Sequence, residues 1–296
     1  MLPPEIIKKI KKLHIKTGRR VNTLMMGHYK SAFRGSGMEF EEVREYSPGD
    51  DIKSIDWKVT ARMGKPFVKT YREEREQVVM LLVDMSASGL FGTGDSSMRE
   101  KAAEIASILA FSAIKSNDNI GAVLFTDKVE KYIPPQKGPS HVWRVIKEIV
   151  TFTPESRGTD IINAVRYFGN IQRKRSVCFL ISDFLTGMSD QTDRNVLKIL
   201  SRKHETICVV LSDPGEFHLP ESGIFSVEDL ETGKRVFLDA GHAPTRTSFE
   251  KIKKAAYDKR IETLKKSDMD IISISTGDDA ADELIRYFRI REKRLR

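Results

Sequence analysis

The chain has 296 residues, 40% of them hydrophobic, with 19 glycines, 11 prolines and a formal net charge of +8. That is enough apolar material for one sizeable α/β domain plus a small module, and too ordinary in glycine and proline for disorder. The two cysteines lack a C-x-x-C partner and the six histidines lack H-x-x-x-H spacing, which argues against structural zinc, redox catalysis and a zinc enzyme.

Residues 1–75 form the first predicted region. The opening MLPPEIIKKIKKLHIK reads as a basic amphipathic helix without the apolar h-region of a signal peptide, so a cytoplasmic protein is expected. Turn punctuation follows at 35–37, 48–49 and 64–66, and the extended pieces MEFEEVREY and PFVKTYRE between those turns predict a small β-rich module. Trp57 and Tyr46 are read as its core anchors, SPGDD as a turn, and Arg62 with Glu73, Glu74 and Glu76 as an ion network.

Residues 76–296 alternate strand and helix patterns. QVVMLLVD (77–84) is a continuous apolar run of the kind buried on both faces. MREKAAEIASILAFSAIKS (98–116) is a helix with Ile105, Ile108, Leu109 and Phe111 turned inward. NIGAVLFTD (119–127) is a strand, and VEKYIPP is a strand or hairpin arm closed by two prolines. Helices are predicted at 141–152 and 160–170, a strand at 175–183, a helix over DRNVLKILSRK and a strand at 204–213. A helix near 248–266, a strand at 269–275 and a final helix over DDAADELIRYFRIRE complete the series.

Such alternation calls for right-handed crossovers and a doubly wound, largely parallel sheet with helices on both faces. Ligands of these sheets sit beyond the carboxyl ends of strands, where the strand order reverses. Asp84, Asp127, Asp183 and Asp213 all fall at predicted strand ends. Cys178 and Cys208 lie within apolar strands as small hydrophobes, and no apolar run approaches the roughly 20 residues of a membrane-spanning helix.

The first strand of the larger region runs into LLVDMSASGLFGTGDSS, where Asp84, Ser86 and Ser88 set oxygen-bearing side chains at alternate positions. Alone the D-x-S-x-S pattern is weak, because hydroxyls are ordinary turn and N-cap residues. Thr159 in SRGTDI, just ahead of a predicted helix, and Asp183 in LISDF, at the end of a second buried strand, give it weight. Together the five offer oxygen ligands from loops at one sheet edge, with two carboxylates to offset a cation. Mg²⁺, which usually keeps several waters, suits such a set.

DMSAS, the Thr159 of RGTD and the Asp183 of ISDF resemble the three-part metal-ion-dependent adhesion site of von Willebrand factor type A domains, over roughly residue 76 to the end. The resemblance implies a Rossmann-like fold and a bound Mg²⁺ (or Mn²⁺ or Ca²⁺) ligated directly by Ser86 and Ser88. Thr159 would join directly or through water, while Asp84 and Asp183 would hold metal-bound waters or bind directly. Phe184 stands where many such domains have glycine, and Gly89 where methionine is frequent; both touch loop shape more than ligand chemistry. The segment RGSGMEFEEVREYSPGDDIKSIDWKVTARMGKPFVKTYREERE resembles the signature of domain-of-unknown-function family 58, whose members join it to a von Willebrand type A domain. Relatives commonly occur beside MoxR-type AAA+ ATPases. The resemblance therefore implies a non-enzymatic binding module serving such an ATPase, with a protein partner supplying an acidic residue to the metal.

Two other classes compete. An enzyme using Asp84 as phosphoacceptor or Ser86 as nucleophile lacks a G-x-S-x-G elbow, and FGTGDSS lacks the lysine of a phosphate loop. Ser86 also stands where a haloacid-type phosphatase needs a second aspartate. Basic ends, Lys8, Lys9, Lys11, Lys12, Lys16, Arg19 and Arg20 at one and residues 286–296 at the other, invite RNA or an anionic surface. Tyr287 and Phe288 in that last stretch sit at helical positions equally suited to a core. Neither catalysis nor nucleic-acid binding is the expectation.

Overall fold

The computed structural model of the chain describes residues 29, 37–74, 77–185, 191–228, 230 and 233–294. The chain divides into two compact units, one of Phe33–Gln77 and one of Met1–Ala32 with Val78–Arg296.

In the smaller unit, β1 (Gly37–Glu45), α1 (Trp57–Met63) and β2 (Phe67–Glu74) follow one another, and the two strands pair antiparallel with a bulge between Phe40 and Glu42. SPGDD forms the turn after β1: the Asp50 N–H donates to the Ser47 carbonyl at 3.0 Å, and Gly49 takes the φ of 111° that the turn needs. Arg44 grips the Asp50 carboxylate through both guanidinium nitrogens at 2.7 and 2.8 Å. Asp56 caps α1 by accepting from the Lys58 and Val59 N–H groups, and Gly64 ends it in the left-handed region. The core of this unit is small. Val68 is buried, whereas Trp57 is 68% exposed and Tyr46 half-buried. The reading of Trp57 as a core anchor is thus corrected: it opens a helix none of whose residues is buried. Arg62 is exposed; the side chains of Glu73, Glu74 and Glu76, and the basic helix read at the start of the chain, lie outside the described residues.

The larger unit has three layers. β3 (Val78–Asp84) leads through a 3-10 turn at Ala87–Leu90 to α2 (Met98–Ser116), then β4 (Asn119–Phe125), β5 (Val129–Gln136), α3 (Pro139–Thr151), α4 (Ile161–Ile171) and β6 (Val177–Ser182). After these come α5 (Gln191–Lys203), β7 (Glu205–Ser212), β8 (Ile224–Glu228), β9 (Arg235–Asp239), α6 (Ala243–Lys265), β10 (Asp270–Ser275) and α7 (Ala280–Arg294). Six strands make one sheet in the order β10-β7-β6-β3-β4-β5, parallel except for β5, which returns antiparallel to β4. This is the doubly wound, largely parallel sheet expected of the alternating pattern.

Helices cover both faces. On one, Met80 and Leu82 of β3 pack with Phe168, Leu197 and Leu264 from α4, α5 and α6. On the other, α2 packs with α3 and α7. α2 is buried at Met98 and throughout from Lys101 to Ala113, and Ser97 and Glu100 close its first turn with a reciprocal capping box. Phe288 of α7 is fully buried with its ring 5.6 Å from that of Tyr29, while Arg291 bridges Asp270 and Glu205. Part of the basic C-terminal cluster is therefore neutralised within the fold.

Two features differ from the sequence reading. α6 begins at Ala243 with Pro244 in its first turn, five residues ahead of the predicted start. The β8–β9 hairpin was not predicted; it pairs Ile224 with Asp239 through Glu228 with Arg235, and most of its side chains are exposed. Among the described residues no helix is long and apolar enough to cross a membrane.

The strand order reverses between β3 and β6: β4 and β5 extend one way, β7 and β10 the other. The carboxyl ends of β3 and β6 therefore flank the crevice where such sheets place ligands.

Candidate metal centre

Asp84 is the last residue of β3 and is buried. Its Oδ1 accepts the Ser86 N–H at 2.9 Å, folding the chain sharply after the strand, and its Oδ2 accepts the Ser182 hydroxyl at 2.6 Å across the switch point. The Ser86 and Ser88 hydroxyls lie 3.0 Å apart, both buried. Two backbone bonds hold this loop in place: the Met85 N–H donates to Phe125 O at 2.8 Å and the Ala87 N–H to Arg157 O at 2.9 Å.

Asp183 follows β6 directly. Its Oδ1 accepts the Leu185 N–H at 3.1 Å, its carbonyl accepts from Arg260 Nη1 of α6 at 2.8 Å, and its Oδ2 is buried with no hydrogen-bond partner among the described residues. The next residue, Phe184, is buried with a φ of 55°. A non-glycine residue in the left-handed region costs about 1–2 kcal/mol. Packing of the ring into the core and a 3.0 Å bond from the Phe184 N–H to Ser182 Oγ offset that cost. The position where many type A domains carry glycine is left-handed here, with phenylalanine held in it.

Burial, and second the charge of Asp183, push the Asp84 carboxyl up to about 6, against the pull of its bonds from Ser182 and Ser86. Asp84, Ser86, Ser88, Asp183, Ser182 and Arg99 line a cavity of about 10 Å³, which is space for one water or one small ion. Among the described residues no three His, Cys, Asp or Glu side chains converge as a metal set. The donors here are instead two carboxylates and a pair of hydroxyls. Oxygen donors, paired buried carboxylates and an acceptor left without a donor fit a hard divalent cation that retains waters.

Thr159 does not line that cavity. Its half-buried segment is brought alongside the Ser86 loop by the Ala87–Arg157 bond and fixed to the end of β4 by the Asp160 N–H on Thr126 O at 2.9 Å. Of the other strand-end aspartates, Asp127 is exposed in the β4–β5 turn. Asp213 is fully buried and satisfied by four donors: the Thr93 and Thr276 hydroxyls at 2.5 Å, the Gly215 N–H at 2.8 Å and the Thr93 N–H at 3.1 Å. Burial acts to raise its carboxyl, but these bonds prevail and hold it below the ordinary range. It ties the loop ahead of α2 to the ends of β7 and β10.

Sequence reasoning missed Ser182, Arg99 and Arg260. The first reads as one more strand residue; the two arginines reach the site from helices and carry no motif. The four described histidines are engaged elsewhere, His141 with Ile120 O, His204 with Ser176, His218 with Glu250 and His242 with Thr245.

These features define a doubly wound α/β protein with an oxygen-donor site at its topological switch point, the arrangement implied by the resemblance to von Willebrand type A domains. The chain belongs to the family described as Protein of unknown function DUF58, which its residues 42–259 match. It is 26% identical over 293 residues to uncharacterized protein Rv1480 of Mycobacterium tuberculosis, covering 98% of this chain and 91% of that one. It is 25% identical over 107 residues to uncharacterized protein YeaD of Bacillus subtilis, covering 36% of this chain and 25% of the relative. Among solved structures it is similar to an aerotolerance-related membrane protein from Bacteroides fragilis, with a TM-score of 0.49, 15% identity and coverage of 74% and 99% of the two chains. It is also similar to a von Willebrand factor type A protein from Catenulispora acidiphila, with a TM-score of 0.38, 11% identity and coverage of 77% and 44%.

Proposed function

We propose that the chain is a metal-dependent protein-binding module without catalytic activity of its own. Asp84, Ser86, Ser88 and Asp183 hold Mg²⁺, joined by Thr159 through water as the family resemblance implies, and leave a coordination position for a carboxylate supplied by a partner protein. The observation that carries this reading is the unpartnered, buried Asp183 Oδ2 beside a second buried carboxylate and two hydroxyls. A buried acceptor without a donor is costly unless a cation answers it. Bound metal would supply a Lewis acid for the incoming carboxylate; the protein residues orient it and exclude bulk water.

The same set argues against hydrolysis. Ser86 meets another hydroxyl, and the described histidines are all committed elsewhere. A nucleophile needs a base within hydrogen-bond reach. In line with the family resemblance, the partner is a MoxR-type AAA+ ATPase or its client, and the module acts as its adaptor.

The test is calorimetric titration of Mg²⁺ into the wild type and the Ser86→Ala/Ser88→Ala double variant, with a pull-down of a co-encoded MoxR-type ATPase in Mg²⁺ and in EDTA. We expect Mg²⁺ binding that weakens at least ~10-fold in the variant, and capture that chelation abolishes. Equal affinity in both proteins sinks the metal reading, and capture indifferent to chelation sinks metal-dependent docking.

A further inference from the structure

Two carboxylates buried at one small cavity repel each other, so a metal-free site needs a positive charge nearby. Arg99, in the first turn of α2, is placed to provide it. Its Nη2 donates to the carbonyls of Met85 at 2.6 Å and Ser86 at 2.9 Å, and its Nε is buried without a hydrogen-bond partner. The guanidinium lines the same cavity as Asp84, Asp183, Ser86 and Ser88, and its charge interacts with that of Asp84. Among the described residues no bond joins it to a carboxylate oxygen of the site; its two bonds go to backbone carbonyls.

Resting on the metal reading above, we propose that Arg99 is a resident counter-charge that supports the metal-free site and holds its Mg²⁺ affinity down, so that a partner's carboxylate is needed for tight occupancy. The sign follows from how the loop is held. The Met85–Phe125 and Ala87–Arg157 bonds and the Ser86 N–H on Asp84 fix its shape independently of Arg99. Removing the guanidinium therefore removes charge more than geometry. A like charge close to a site shifts its occupancy by one or more powers of ten, and a divalent ion feels it more strongly than a proton.

The experiment is Mg²⁺ titration into the full chain at low salt, for the wild type, Arg99→Gln and Arg99→Lys, with melting temperatures in EDTA and in saturating Mg²⁺. The glutamine variant should bind Mg²⁺ at least ~10-fold more tightly, melt lower than wild type in EDTA and recover in Mg²⁺. The lysine variant, which keeps the charge, should stay within about threefold of wild type. A folded glutamine variant that binds Mg²⁺ no more tightly than wild type overturns the proposal. So does a glutamine variant unfolded in both EDTA and Mg²⁺, because the metal then fails to replace the missing charge. Binding by the glutamine variant alone supports the role of Arg99 while refuting metal dependence of the native protein. No binding by any of the three refutes both.

Discussion

Asp183→Asn removes one of the two buried carboxylates at the cavity while keeping the side chain's size and the Oδ1 that accepts the Leu185 N–H. The Asp84 carboxyl stands at about 6 against an ordinary 3.8, first from burial and second from the charge of Asp183. At ~1.36 kcal/mol per pH unit, that displacement costs the metal-free fold about 3 kcal/mol near neutral pH, most of it from burial and a lesser part from the charge of Asp183. A carboxyl raised by folding contributes its stability fully below pH 3.8 and loses it as pH rises through about 6. The cost is therefore present where Mg²⁺ binding is measured. Asparagine also replaces a buried acceptor that has no partner with a donor among acceptors. In urea titrations in EDTA at neutral pH the variant should be more stable than wild type, by less than the whole displacement of about 3 kcal/mol. Its Mg²⁺ affinity should fall at least ~10-fold. Gained stability with lost ligand is the signature of a residue kept for binding. A variant less stable than wild type in EDTA, or one that binds Mg²⁺ unchanged, would refute the reasoning.

His204 is buried against Phe168, with Nδ1 2.9 Å from the Ser176 hydroxyl and Nε2 lacking a hydrogen-bond partner among the described residues. Burial, then the charges of Lys203 and Arg175, press its pKa from 6.5 to about 4. The unfolded chain takes up a proton that the folded chain refuses, so this contribution is whole above pH 6.5 and lost as pH falls through about 4. It is worth up to about 3 kcal/mol, and urea midpoints of His204→Phe should decline less between those limits than those of wild type; parallel declines would count against it. Asp213→Ala strands the hydroxyl of the buried Thr276 and releases the Thr93 and Gly215 donors, which lie nearer the surface, and should cost about 2 kcal/mol in urea unfolding. A loss below about 1 kcal/mol would show that water or a neighbour takes over.

The sheet was legible because its central strands are apolar on both faces and so announce themselves without periodicity. The β8–β9 hairpin escaped for the opposite reason. Its strands bury little, and Ile224, Val236 and Phe237 point into solvent at 73%, 58% and 74% exposure, so no hydrophobic pattern tied to a core marks it. Trp57 misled in the same way, since an indole is a strong sign of burial only where a second layer exists to receive it.

Of the candidate site, the sequence marks residue types at strand ends, of which Asp84, Ser86, Ser88 and Asp183 line one cavity and Thr159 does not. Asp183 and Asp213 follow neighbouring strands of one sheet, each after a buried apolar run that ends in serine. Nothing local separates them. What does is Thr93, 120 positions from Asp213, and Thr276, 63 positions away, which deliver donors to one carboxylate and not to the other. A satisfied aspartate braces the fold, and one with a buried free oxygen beside a second carboxylate is the one the proposed metal site draws on. Arg99 and Arg260 complete the distinction by holding backbone carbonyls at the unsatisfied site, Met85 and Ser86 for the first and Asp183 for the second. Positive charge is brought close while the Asp183 Oδ2 stays without a donor among the described residues, so the motif marks the strand ends and the tertiary hydrogen bonds decide which aspartate is left open.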